Sequence, residues 1–422
     1  MKLQLKQRLT NEKALFVIIN VVANILLLVR SYLFMIVLNY TELGIITLLQ
    51  SVVLLISTLQ FGVINGGYRL LCTESEENAQ RINSFFYAFV FYLSIACSTV
   101  GGILTFLFNG QDYTFIIALG IFAGIVTLIR TWITNQMIAL IMLRKLNMIT
   151  FISSFISVFV LLFVSINPLQ VCLISIVIHP LVFIVYILFK EKSLRPVGIS
   201  FSFEILRRVM ATGFVMFLTG MFVLINTQIE RWSILSELGI ESLGHYYLAL
   251  LFINVFGLIP TSLGSIYLPQ ILKLYADKAY NLMQNVLKQF IKVSLLYSII
   301  VIFGVLLLAQ PFIDMFLSKY SNDLIYLYLV LPGLILLSLT TPFGLVFEAT
   351  IQYKYYFRSY FMGTVFTALL VLLFIYGVHS FSLITLSLIK TAVNIIMGVF
   401  IMMGYYTVST QYPELRLRKI LK

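Results

Sequence analysis

Apolar residues in this chain run in blocks of about 20, the length an α-helix needs to cross the roughly 30 Å hydrocarbon core of a bilayer. Short polar or charged segments separate the blocks. Twelve of them predict helices over 14–36, 44–68, 84–108, 114–141, 147–165, 169–189, 209–236, 243–269, 293–313, 324–350, 359–377 and 382–406. Membrane β-strands would appear as stretches of about ten residues with alternating polarity, a pattern the chain lacks. The first block follows the basic stretch MKLQLKQRLTNEK, which is how a secretory signal begins. It is too long for one, contains Arg30 and has no small-residue cleavage site, so it is read as the first helix.

Composition points the same way: 61% of residues are hydrophobic, 10% are charged, and the mean hydropathy is +1.03. Soluble domains carry about a quarter charged residues. The fold class expected is therefore all-α and polytopic, embedded in membrane lipid. Charge then orients it. The N-terminus, the tail and the segments near 69–83, 143–146, 190–208, 270–292 and 351–358 together hold 23 Lys and Arg, whereas the alternate loops hold one, Lys319. Positive residues favour the cytoplasmic side, so both termini are expected in the cytoplasm. The net charge of +12 is then a matter of topology and anionic-lipid contact and requires no nucleic acid. The tyrosine-rich IQYKYYFRSYF, 351–361, reads as an interfacial anchor.

One pattern occurs twice. Leu38, Leu43, Gly44 and Leu48 recur as Leu238, Leu243, Gly244 and Leu248, each 200 residues on. In a twelve-helix plan the first set falls at the hairpin of helices 1 and 2 and the second at the hairpin of helices 7 and 8. Six helices separate them, so both copies enter the membrane from the same side, as in a parallel repeat about an axis along the membrane normal. The expected architecture is two pseudo-symmetric six-helix bundles around a central cleft: 1–189, a cytoplasmic linker 190–208, a second bundle 209–406, and a basic cytoplasmic tail 407–422.

The first-half stretch YTELGIITLLQSVVLLISTLQFGVINGGYRLL and the second-half stretch NTQIERWSILSELGIESLGHYYLALLFINVFGLIPTSLGSIYLPQI resemble the polysaccharide-export branch of the multidrug/oligosaccharidyl-lipid/polysaccharide exporter superfamily, in particular Wzx-type O-antigen flippases. That resemblance implies a multi-pass protein of the bacterial inner membrane. By alternating access it would move undecaprenyl-diphosphate-linked oligosaccharide from the cytoplasmic to the periplasmic leaflet for surface polysaccharide synthesis. Polysaccharide polymerase and chain-length machinery would be further partners.

Charges inside the predicted helices supply candidate chemistry. Arg30, Arg130, Arg231 and Lys390 all lie in apolar blocks, against the acids Glu230 and Glu348, leaving two positive charges in excess. Four unpaired cations in lipid would cost on the order of 10–14 kcal/mol. A diphosphate is the matching ligand, and arginine can hold phosphate oxygens with two parallel hydrogen bonds. Asn20 with Asn24, and Asn226 with Glu230, are each spaced by one helical turn, so each pair lines one face. In lipid such a face points to the bundle interior. The alternative for the arginines nearest the helix ends is snorkelling to the interface.

Gly62 and Gly66 in FGVINGG suit close approach to another helix, most simply helix 1. His179-Pro180, Pro332 and Pro342 mark expected helix breaks, and His179 and Glu348 are candidate ion-coupling groups. Cys72, Cys97 and Cys172 have no metal or redox spacing and read as packing residues. The chain shows no nucleotide-binding loop, metal cluster or nucleophile triad, so neither a metal nor a cofactor is expected. A polytopic polysaccharide polymerase would need a larger loop than any predicted here. An ion-coupled multidrug antiporter of the same superfamily is the nearer rival, and would be expected to carry an excess of acid.

Overall fold

The computed structural model describes residues 2–71, 76–107, 111–195 and 198–412. In chain order its helices are α1 Lys2–Val37, α2 Tyr40–Thr58, α3 Val63–Leu71, α4 Glu76–Leu107, α5 Gln111–Ala139, α6 Leu143–Phe159, α7 Pro168–Lys190, α8 Phe203–Glu237, α9 Gly239–His245, α10 Tyr247–Ala276, α11 Tyr280–Gly304, α12 Gln310–Phe316, α13 Leu324–Leu339, α14 Thr341–Ala349, α15 Tyr353–Leu372 and α16 Leu383–Gln411. No strand occurs among the described residues. Hydrocarbon offers no partner for a free peptide group, and a helix satisfies its own.

Eleven helical segments among the described residues are long and apolar enough to cross a membrane. They match the expected spans apart from the seventh. That one is α8, in which 209–229 contains no charged residue. Several spans are jointed. The second is α2 and α3 around a break at 59–62, the eighth is α9 and α10, and the tenth is α13 and α14. π-Helical turns at Val305–Ala309 and Leu373–Gly377 interrupt the ninth and extend the eleventh.

Of the proline breaks expected, only that at Pro342 occurs, where the proline sits in the first turn of α14. A missing N–H costs nothing there. Pro180 and Pro332 lie inside α7 and α13, which continue through them. The last span also exceeds its expected end, with 407–411 belonging to α16. Cys97 and Cys172 are buried, in keeping with packing roles. Cys72 and tail residues 413–422 lie outside the described residues.

Two compact units divide the chain, 1–224 and 225–422. The boundary falls inside α8, beyond the 190–208 linker. In the first unit α2 lies along α5 and α1 along α6. Gly120 and Gly124 of α5 make the first pairing possible, because a Cβ on them would lie 2.7 Å and 2.6 Å from the Cβ atoms of Val52 and Ile56 on α2. At the end of this unit Trp132 stacks on Phe86 with ring centroids 4.4 Å apart. Its indole N–H donates to Asn83 Oδ1 at 2.9 Å. In the second unit α13 and α15 pack along α16, burying Leu386, Val393, Met397 and Tyr405.

The helix that Gly62 and Gly66 approach is α8, which corrects the expectation of helix 1. Gly62 lies in the break before α3 at φ +84, a left-handed conformation that suits glycine. A Cβ on it would stand 2.8 Å from the Gly213 carbonyl carbon, and one on Gly66 would collide with the Val209 carbonyl. Small residues on two helices can mate wherever topology brings them together, and the sequence spacing does not name the partner.

The two copies of the repeated pattern occupy equivalent places. Leu38 follows α1 and Leu238 follows α8. From 41 to 49 and from 241 to 249 the residues share one order of burial: exposed, half-buried, two buried, half-buried, then four buried. The first copy starts its helix with Asn39, whose side chain accepts from Glu42 N at 2.8 Å while Glu42 returns a bond to Asn39 N at 2.9 Å. This reciprocal cap satisfies two amides that the helix cannot.

Candidate functional site

In the first unit, α1 presents Arg30 to α6 and α7. Arg30 Nη1 donates to Ser157 Oγ at 2.9 Å and to the Ser175 carbonyl at 3.3 Å. The two serines are fully buried and bond across the helices to each other's backbone, Ser157 Oγ to Ser175 O at 2.8 Å and Ser175 Oγ to Ser157 O at 2.6 Å. Hydroxyls close such bonds between helices without exposing a dipole to lipid. One turn beyond Ser175, the buried His179 ring meets Ser154 Oγ at 3.3 Å through Nε2. Arg130 comes from α5, its guanidinium 5.2 Å from the centre of the Phe183 ring. It is close enough to Arg30 and His179 for their charges to interact. Its Nε is buried without a hydrogen-bond partner among the described residues.

Arg30, Arg130 and His179, distant in sequence, therefore converge in one place. Arg30 reaches into its own unit, which a snorkelling side chain would not do. Asn20 and Asn24 lie half-buried on the same helix, but Arg30 is about 120° round the axis from Asn24 at 100° per residue, on a separate stripe.

The second unit is built differently. Glu230 and Lys390 form an ion pair between α8 and α16, with side chains only 2% and 10% exposed. Asn226, one turn before Glu230, accepts at Oδ1 from Thr367 Oγ1 of α15 at 2.7 Å. Arg231 is 7% exposed, and its Nε and Nη1 are buried without hydrogen-bond partners among the described residues. Neither Arg130 nor Arg231 forms an ion pair among those residues. Glu348 is half-buried near the end of α14, close enough to Tyr356 of α15 for their charges to interact, and forms no ion pair among the described residues.

Sequence reading missed the serines of the first cluster. Ser154 and Ser157 on α6 are spaced three apart and so share one helix face, a signal that could have been used.

Buried guanidinium N–H groups without partners suit an anion with several oxygens, each oxygen able to accept a charge-assisted bond. Hydroxyls of the kind found beside Arg30 can donate to the same ligand.

No family model matches the chain, and no curated protein matches it in sequence. Solved structures do match in shape. An inward-facing multidrug resistance MATE family transporter of the MOP superfamily aligns at TM-score 0.71 with 13% identity, over 93% of this chain and 96% of that one. The lipid II flippase MurJ in an inward closed conformation aligns at TM-score 0.70 with 15% identity, over 97% of this chain and 89% of that one. An outward-facing MATE transporter aligns at TM-score 0.57 with 14% identity, over 92% and 96%. At such identities the likeness is one of fold, and the proteins that share the fold are transporters and a flippase.

Proposed function

We propose that this protein is a Wzx-type flippase, which moves undecaprenyl-diphosphate-linked oligosaccharide from the cytoplasmic to the periplasmic leaflet of a bacterial inner membrane. The observation that carries this reading is the buried guanidinium N–H groups of Arg130 and Arg231, which have no hydrogen-bond partner among the described residues. Cations kept in lipid at this cost call for an anionic ligand. In this reading the first unit offers Arg30 and Arg130, and the second offers Arg231, as donors to phosphate oxygens, with buried hydroxyls of the first unit supplementing the former; the Glu230–Lys390 pair is already neutral. The fold it shares with a lipid II flippase supports a lipid-linked substrate. An outward-moving dianion also gains about 2.3 kcal/mol per charge per 100 mV from an inside-negative potential, so export of this ligand is favoured without ATP.

The equal similarity to a multidrug transporter supports a second reading, export of drug cations. Arg130 and Arg231, which form no ion pair among the described residues, oppose it, since they would repel such a substrate. One experiment separates the two. In a strain lacking the native gene, surface polysaccharide is scored for wild type, Arg130→Ala and Arg231→Ala at equal membrane abundance, alongside efflux of a cationic dye. Loss of polysaccharide in both variants with no dye efflux in any supports the flippase. Dye efflux by wild type with polysaccharide unaffected supports the antiporter.

A further inference from the structure

The linker 190–208 reads as cytoplasmic in the sequence, yet part of it leans on the flank of a spanning segment. The Phe201 ring lies 5.4 Å from that of Phe85 and 5.8 Å from that of Tyr92. Both partners belong to the stretch of α4, Glu77–Ile103, that is long and apolar enough to cross a membrane. Tyr92 is 57% exposed, on the side of α4 open to lipid. The linker is fastened at this level by Asn83 of α4, whose Nδ2 donates to the Leu194 and Arg195 carbonyls at 3.4 Å each.

On either side of Phe201, Ile199 is 67% exposed and Phe203 is 74% exposed. From 198 to 202 the backbone has no regular structure, and the peptide groups of 198–201 make no backbone hydrogen bond among the described residues. Hydrocarbon cannot satisfy such groups, whereas bulk water penalises bare apolar side chains. The headgroup layer meets both demands, because side chains there reach the acyl boundary while the backbone stays wet.

Charge selects the lipid. Lys190, Lys192, Arg207 and Arg208 are exposed, and the one exposed acid among the described residues of the linker is Glu204. Glu191 is held by Lys145 at 2.8 Å, and Arg195 is turned to the end of α7, where it donates to the Leu188 and Phe189 carbonyls. Ile205 and Leu206 pack against the core of the first unit, so the start of α8 buries apolar residues and leaves Arg207 and Arg208 outside. Exposed apolar side chains beside cations match an anionic membrane surface.

We propose that 198–208 is an interfacial anchor that binds an anionic phospholipid in the leaflet on the Lys- and Arg-rich side. Ile199 and Phe203 enter the acyl boundary, Arg207 and Arg208 hold the headgroup phosphate, and Lys190 and Lys192 add to the local positive potential. The anchor belongs to the first unit and does not depend on the transported substrate.

The test uses the full chain in a cysteine-free background with a bimane dye on Ile199→Cys, reconstituted in phosphatidylcholine vesicles. Phosphatidylglycerol or phosphatidylcholine, each bearing a nitroxide near the headgroup end of one acyl chain, is titrated in as quencher. Phosphatidylglycerol should reach half-maximal quenching at a mole fraction on the order of 30-fold lower, since each of two cations near an anionic lipid contributes about fivefold. Arg207→Gln/Arg208→Gln should remove most of that gap, and added salt should narrow it with both arginines in place. A dye on Ile299→Cys, an exposed position of α11, should be quenched alike by the two lipids. Equal quenching by both lipids at Ile199 overturns the proposal, as does a gap that survives in the double variant or one of the same size at Ile299. Absence of quenching by either lipid also overturns it, placing the linker off the membrane and leaving its apolar side chains to a soluble protein.

Discussion

The crossing of α3 and α8 offers a quantitative test of the packing. A methyl group added at Gly66 would stand 2.8 Å from the Val209 carbonyl carbon and 3.1 Å from Gly213 N, in addition to colliding with the Val209 oxygen. Ordinary carbon contacts begin about 0.7 Å beyond the shorter of these. Every obstacle is backbone, so no side chain can rotate away and the helices must separate. Overpacking of this kind costs about 1–3 kcal/mol. Gly62→Ala is less crowded, its Cβ meeting the Gly213 carbonyl carbon at 2.8 Å, but its φ of +84 adds strain. That second contribution is about 1–2 kcal/mol. Gly220 is the control. It lies in α8, and a Cβ there meets nothing within 4 Å, so Gly220→Ala should stabilise by about 1 kcal/mol through helix propensity alone. At about 2–4 °C per kcal/mol for a unit of roughly this size, Gly66→Ala should melt about 2–12 °C below wild type and Gly220→Ala a few degrees above it. Thermal unfolding of purified protein, followed by size-exclusion chromatography after heating, measures both. A Gly66→Ala midpoint equal to wild type, or a larger loss from Gly220→Ala, would refute the crossing.

Other expectations are simpler to check. Ile141 and Ile351 are exposed at φ 57 in the turns after α5 and α14, a left-handed conformation that costs a side chain about 1–2 kcal/mol. Ile141→Gly and Ile351→Gly should therefore each raise the midpoint in detergent, and a fall in both would show that the side chains hold the turns. Cysteines replacing the exposed Thr41 and Glu241, in a cysteine-free background, should react with an impermeant thiol reagent from the same side of the membrane. Labelling from opposite sides would break the parallel repeat. A reporter at Ser193 should read cytoplasmic and one at Ser321 periplasmic, as the 23-to-1 bias of Lys and Arg requires; both on one side would undo the twelve-helix plan. Arg30→Lys should keep its charge but lose the fixed fork that reaches Ser157 and the Ser175 carbonyl. Polysaccharide export should then fall between those of wild type and Arg30→Ala at equal abundance, whereas full activity of Arg30→Lys would return the residue to a snorkelling role.

Much of the architecture follows from the sequence because lipid imposes a one-dimensional rule: a block of about 20 apolar residues must be helical and must span. That rule yields the number and order of spans with no knowledge of their neighbours. The equivalence of Leu38–Leu48 and Leu238–Leu248 was legible for a similar reason, since a repeated local pattern folds into the same local structure, down to its order of burial. The identities of the buried charges were also plain, because a charged residue in an apolar block is conspicuous. Their partners were not. Glu230 and Lys390 are 160 residues apart, and only the approach of α16 to α8 makes them a neutral pair and leaves Arg231 without one among the described residues. The same holds for Arg30, Arg130 and His179, which three helices bring together, and for Gly62 and Gly66, whose mate proved to be α8. Proline is ambiguous in sequence because its effect depends on position within a turn: harmless at the start of α14, and accommodated inside α7 and α13, which continue through it. Span and register are properties of the chain, whereas pairing is a property of the space into which helices pack.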